Sequence, residues 1–183
     1  MRAPSPRRTR PEVTVEEPRV QLVAFELAGG DFAVDIMRLK EVIQPVPVTV
    51  VPRGPAFLEG VIDLRGAILP VVDLRRRFGL PSGAGLRQKL LIVAIDVGLG
   101  PGRRLILGLV VDRVREPIHV KASDLKPAPP LAHIDTDSRT FGAVATHGGR
   151  LHMVIDIDRL LGPRERAILA GRDFEPDPDR GPG

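Results

Sequence analysis

Residues 66–79, GAILPVVDLRRRFG, decide the fold, because residues 149–162, GRLHMVIDIDRLLG, repeat their plan. Turn residue Gly66 matches Gly149, Asp73 matches Asp156 and closing Gly79 matches Gly162, at equal spacing in both copies. An apolar run precedes each copy, FLEGVIDL at 57–64 and TFGAVAT at 140–146, so each copy reads as the second strand of a β-hairpin. The first of these turns at Arg65 and Gly66, the second at HGG. Farther out, VQLVAFEL, AGGD and FAVDI form a hairpin turned at Gly29 and Gly30, with Phe32, Val34 and Ile36 on one side and Ala33 and Asp35 on the other. LLIVAIDV (90–97) and LILGLVVDRV (105–114) flank a turn at GLGPGRR.

Between these hairpins the signals are weaker. Ile36, Leu39, Val42 and Ile43 in IMRLKEVIQ suit a helical turn or a strand, and spacing does not choose between them. The prolines of PVPVTVVPRGP (45–55) leave room only for a loop or an edge segment. RRRFGLPSGAGLRQ reads as a short basic turn or helix with a glycine-rich connection, and KPAPP as a Pro-rich crossing. GPRERAILAG places Pro163 at a first helical position and Gly171 at the far end, the asymmetry of a short helix. Two weakly similar β-rich units of roughly 70 residues each point to an all-β fold of two small barrels packed side by side, since closure removes sticky sheet edges and units of this size need mutual support. The expected division is a disordered tail over 1–18, one barrel over about 19–86, a second over about 87–162 with intertwined ends, a C-terminal helix at about 163–171 and a second tail over 172–183.

Composition narrows the function. The chain has 183 residues, 43% hydrophobic and 27% charged, enough for one globular body. With no Cys it has no disulfides, thiolate metal sites or thiol nucleophile. No apolar run reaches the ~18 residues of a membrane span, and no apolar stretch follows the basic N-terminus as a secretory signal needs; the expectation is a cytoplasmic protein without membrane insertion. A net charge of +4 with signs interleaved, and no Trp or Tyr for base stacking, speak against nucleic acid. A basic small-barrel module for single-stranded nucleic acid is the alternative from another class.

Catalytic chemistry is hard to assemble. Of four histidines only His147 and His152 lie close together, across a hairpin turn, and Asp135, Asp137, Asp156 and Asp158 are the nearest further ligands; solvated hairpin residues are the simpler reading. Ser5, Ser82, Ser123 and Ser138 fall in tails or loops without an identifiable base. Asp73 and Asp156, at equivalent places before a turn, suit capping better than paired-carboxylate catalysis. No cofactor is implied, and the chain reads as non-enzymatic. Arg65, held on a stiff turn, is either a partner anchor or a solvated turn arginine.

The stretch VIDLRGAILPVVDLRRRFG resembles the signature of the CheW-type chemotaxis coupling proteins, an N-x-R-G turn followed by x-x-x-P-x-x-D-L. The resemblance runs from about Val20 to Leu169, through AFELAGGDFAVDIMRLKEVI, PAFLEG, LGLVVDRV, KPAP and RLHMVIDIDRLLG. It implies two five-stranded SH3-like barrels and an adaptor, monomeric in isolation, that joins chemoreceptor cytoplasmic tips to the regulatory domain of a CheA-type histidine kinase in membrane-associated arrays. It also implies a receptor-binding groove of Leu39, Glu41 and Val42 after the first hairpin, Arg65, Gly66 and Ile68 at the second, and Gly108 and Val114 from the other barrel, with Glu41 and Arg65 foremost. Asp63 stands where the family has Asn; the expectation is an ion pair with Arg65 that retunes the receptor contact. The GLGPGRR turn looks longer than usual, as an extra contact or a tolerated insertion.

Overall fold

A computed structural model of the chain describes residues 17–81, 89–96, 104–129 and 140–171, with the backbone alone at 94–96 and 171. The rest, including most of the N-terminal tail, all of the C-terminal one and the turn at 98–103, lies outside the described residues. Eleven strands are described: β1 (Arg19–Leu27), β2 (Gly30–Asp35), β3 (Leu39–Ile43), β4 (Leu58–Leu64), β5 (Ala67–Asp73), β6 (Lys89–Asp96), β7 (Arg104–Val111), β8 (Arg113–Lys121), β9 (Leu125–Pro127), β10 (Phe141–His147) and β11 (Arg150–Ile155). Two α-helices, α1 (Leu74–Arg77) and α2 (Pro163–Gly171), accompany them. The strands form a five-stranded sheet of order β3-β6-β7-β5-β4 and a six-stranded sheet of order β8-β1-β2-β11-β10-β9. The fold is therefore mainly β with two barrel units. The extra strand in one of them is the three-residue β9 along β10, stopped at Pro127 because proline has no N–H for the ladder.

The units do not divide at residue 86. All five strands of one barrel lie within 39–111, whereas the other takes β1 and β2 from the start of the chain and β8–β11 from its later part. Parallel pairs make this grouping: β2 lies beside β11 and β5 beside β7, so each barrel contains strands from both sides of the sequence midpoint. The contiguous barrel is thus inserted into the other. The chain crosses between them at a 3-10 turn, Ile36–Arg38, and again at Asp112.

Local chemistry fixes both crossings. Asp35 accepts the Met37 N–H at 2.9 Å and starts the first, which ends in β3; IMRLKEVIQ is half turn and half strand. At the second, Asp112 interrupts the run read as one strand. Its carboxylate accepts Arg75 Nε at 2.9 Å, Arg75 Nη2 at 2.6 Å and the Ala28 N–H at 2.7 Å. This pulls α1 and the β1–β2 turn together, and the hydrogen bonds that Arg75 donates to Asp112 hold its buried guanidinium above its ordinary pKa. The turn itself sits at Ala28–Gly29, one residue earlier than the glycine pair suggests: both have positive φ, 51° and 81°, and Gly30 already pairs with Leu27.

The core explains why the barrels need each other. Each has a small interior, Leu22, Ala24, Ala33, Ile118, Val120 and Ala145 in one, and Ile62, Leu69, Val71, Leu90, Ile92 and Val110 in the other. The largest cluster joins strands of both sheets, with Phe25, Leu27 and Val34 against Val72, Leu91, Val93, Leu107 and Leu109, and with Leu74, Phe78, Leu160, Leu161 and Leu169 around them. Four phenylalanines, Phe25, Phe32, Phe78 and Phe141, pack there at centroid separations of 5.0–6.4 Å. Asp73 and Asp156 are both caps, the first accepting the Arg75 and Arg76 N–H groups and the second that of Asp158. Arg77 joins α1 to α2 through Glu165, whose Oε2 also accepts the Gly162 N–H ahead of Pro163.

Removing one partner of a buried ion pair strands the other charge. Asp112→Ala should lower the unfolding free energy by about 3–5 kcal/mol in urea titration; a loss under about 1 kcal/mol would show that the crossing does not depend on this pair.

Candidate functional site

In the five-stranded sheet β3 and β4 are the two edges. Two features bridge them. The segment after β3 runs back so that Thr49 pairs with Val61 of β4 through two hydrogen bonds of 2.8 Å. Across the other part of the gap, Arg65 donates from Nη1 to Glu41 Oε1 at 3.0 Å and from Nη2 to Oε2 at 2.8 Å, a two-pronged guanidinium–carboxylate pair.

Both residues are placed by backbone irregularities. Glu41 follows a bulge: Leu39 opposes Val93 and Glu41 opposes Ile92, with Lys40 unmatched. The extra residue breaks the strand's alternation, so Leu39 packs on the core shared by the barrels while Glu41 reaches over the gap to Arg65. Arg65 and Gly66 have φ of 55° and 83°, the positive pair of a two-residue hairpin turn. A non-glycine residue there is strained by roughly 1 kcal/mol, which the hydrogen-bonded Arg65 side chain and the Asp63 cap help to hold. Asp63 Oδ1 accepts the Gly66 N–H at 2.7 Å. Its expected ion pair with Arg65 does not form: Glu41 takes both prongs of the guanidinium, and Asp63 closes the turn instead.

Arg65 leaves 75% of its side chain exposed and Glu41 29%, so the pair is open to a partner on the arginine side. Val42 and Ile68 are exposed apolar side chains at 42% and 38%. Leu39 is half-buried against the shared core, and Val114, in the other sheet opposite Phe25, is packed in the same way. Gly108 departs from expectation twice. It belongs to β7 of the same sheet as Arg65, and it is buried: a methyl group added there would stand 3.5 Å from Val71 and 3.6 Å from Ile92. It lies inside the barrel and not on a groove wall. Sequence reasoning misses Met37, which at 80% is the most exposed large apolar side chain among the described residues and lies two residues before Leu39. An apolar residue beside Ile36 at the end of a strand run reads as core, and only the 3-10 turn puts it outside.

The other candidate chemistries gain nothing from the geometry. His147 is exposed while His152 is buried, and among the described residues no three His, Asp or Glu side chains converge to hold a metal. No helix among them is long and apolar enough to cross a membrane.

Comparison with known proteins agrees with the architecture. The CheW-like domain family model matches residues 21–165. The chemotaxis protein CheW of Rhizobium meliloti (strain 1021) is 32% identical over 146 residues, covering 80% of this chain and 90% of that protein. The protein FrzA of Myxococcus xanthus is 27% identical over 154 residues, with 82% and 91% covered. The crystal structure of the scaffolding protein TtCheW from Thermoanaerobacter tengcongensis superposes with a TM-score of 0.70 at 31% identity, covering 81% of this chain and 97% of that one. The fold and these matches define a two-barrel protein of the chemotaxis scaffold type. This chain belongs to the CheW-like domain family.

Asp63→Asn keeps an oxygen for the Gly66 N–H and should change stability by less than about 0.5 kcal/mol, while Asp63→Ala removes the acceptor and should cost about 1 kcal/mol. Equal losses for both in chemical denaturation would mean that the charge, not the acceptor, holds the turn.

Proposed function

We propose that this protein is a non-enzymatic adaptor of a chemosensory array, joining the cytoplasmic tips of chemoreceptors to the regulatory domain of a CheA-type histidine kinase. The family membership supports the adaptor class, and the observation that carries the site is the Glu41–Arg65 pair over the barrel gap. A helical receptor tip would lay its apolar side chains on Val42 and Ile68, extended toward Met37, while a polar end meets the exposed face of Arg65. This is a helix-in-groove contact oriented by charge.

In this reading Glu41 positions and Arg65 touches. With both prongs on Glu41, the guanidinium plane is fixed before the partner arrives, so little side-chain freedom is lost on binding. Gly66 lets the turn present that side chain, and Leu39 and Val114 act from beneath by packing the two sheets that carry it. The protein acts in the cytoplasm as a monomer until it is drawn into membrane-associated arrays, and it needs no cofactor.

Co-sedimentation with a purified receptor cytoplasmic fragment tests this. Arg65→Ala should weaken binding tenfold or more, about 1.4 kcal/mol, with a thermal midpoint within a few degrees of the parent. Unchanged affinity in a folded Arg65→Ala protein would remove the hairpin from the receptor contact.

A further inference from the structure

One end of the six-stranded barrel is closed by charge. The barrel's own apolar interior is small, with alanines at 24, 33 and 145. Glu26 lies directly opposite Asp31 across β1–β2 and opposite Arg113 across β1–β8. Arg150 holds Asp31 Oδ2 from Nε at 2.8 Å and Nη2 at 2.6 Å. Arg115 reaches Glu26 at 3.1 Å, but its Nε stands 3.6 Å from Asp31 Oδ1, too far for a good hydrogen bond. His152 follows Arg150 by two residues on β11, hence on the same face, and pairs with Ala145 of the interior. It is 4% exposed.

Among the described residues buried His152 Nδ1 has no hydrogen-bond partner, and buried Asp31 Oδ1 and Arg115 Nε meet only through their 3.6 Å ion pair. Leaving a buried polar atom unpaired is costly, so the cluster is held in an incompletely satisfied arrangement by the barrel around it. A proton on the buried His152 Nδ1 would make it a donor for the incompletely satisfied Asp31 carboxylate. We propose that His152 and Asp31 form a proton-sensitive latch, in which a protonated His152 competes with Arg115 for Asp31 and loosens β8 from the end of the barrel.

The surroundings give the latch its direction. Burial is the main influence, pushing the His152 imidazole below its ordinary value of 6.5. Asp31 on β2 favours the charged imidazole, while His147 on β10, Arg150 on β11 and Arg115 on β8 oppose it. Glu26 on β1 and Arg113 on β8 complete the ring around them. With a folded-state value below the unfolded one, the unfolded chain takes up the proton first. The stabilisation is therefore complete above pH 6.5 and is lost as pH falls through the folded-state value.

Imidazole NMR titration of the full chain, with backbone amides followed in the same spectra, tests the latch. His152 should titrate below 6.5, Asp31→Asn should move its midpoint lower and Arg115→Gln higher, and the β8 amides should shift with the same midpoint. The thermal midpoint should fall between about pH 6.5 and 5 in the parent and stay nearly level in His152→Gln. A His152 midpoint at or above 6.5, β8 amides that ignore it, or an Arg115→Gln shift downward would overturn the proposal. The parent titration and Arg115→Gln decide the matter even if Asp31→Asn or His152→Gln fails to fold.

Discussion

The Asp112 carboxylate lies where the chain leaves one barrel for the other, and it accepts donors from both: the Arg75 guanidinium on α1 and the Ala28 N–H at the β1–β2 turn. An ion pair this enclosed need not stabilise the fold relative to an apolar replacement, because desolvation offsets much of the attraction. Its directional contribution is clearer. A guanidinium taken at two nitrogens and a backbone N–H taken by the same carboxylate admit few relative positions of the elements they join. The apolar cluster between the sheets supplies the adhesion and this network supplies the alignment. Among the described residues each barrel's private interior has only six buried apolar side chains, so most of the burial that opposes chain entropy lies where the two meet.

That constraint reaches the hairpin site through the sheet. β7 enters the crossing at Asp112 and is also the parallel neighbour of β5, the strand that carries the Arg65 turn at its start. On its other side β7 pairs with β6, which pairs with β3 and therefore with Glu41. Both halves of the ion pair thus hang from one strand fixed at the barrel junction. The bulge at Lys40 and the positive-φ turn at Arg65 then aim the two side chains at each other over the gap. The position of the Arg65 side chain is thus set by the fold itself.

What is legible in the sequence is local. Alternating apolar runs and turn residues locate the hairpins, and Pro163 and Gly171 bound the last helix, because those signals act over a few residues. The first turn reads one residue too late because a glycine pair looks like a turn, while a remote Asp112 holds Ala28 in the left-handed region. The grouping of strands is not legible for a related reason. Parallel pairs β2–β11 and β5–β7 join distant segments, and nothing in a strand's own pattern names its neighbour. Gly108 illustrates the same limit: an interior glycine in a close-packed barrel and one lining a groove read alike in sequence. The resemblance to coupling proteins supplies Glu41 and Arg65 as partners in one site; neither periodicity nor charge joins residues on separate strands.

The proposed adaptor must hold both partners at once, and sedimentation of a three-component mixture is the decisive measurement. A receptor fragment, a kinase regulatory domain and this protein should sediment together, with the kinase domain entering the pellet only when this protein is present. If rising kinase domain instead drives this protein off the receptor, the two partners share a single surface and the coupling account is wrong.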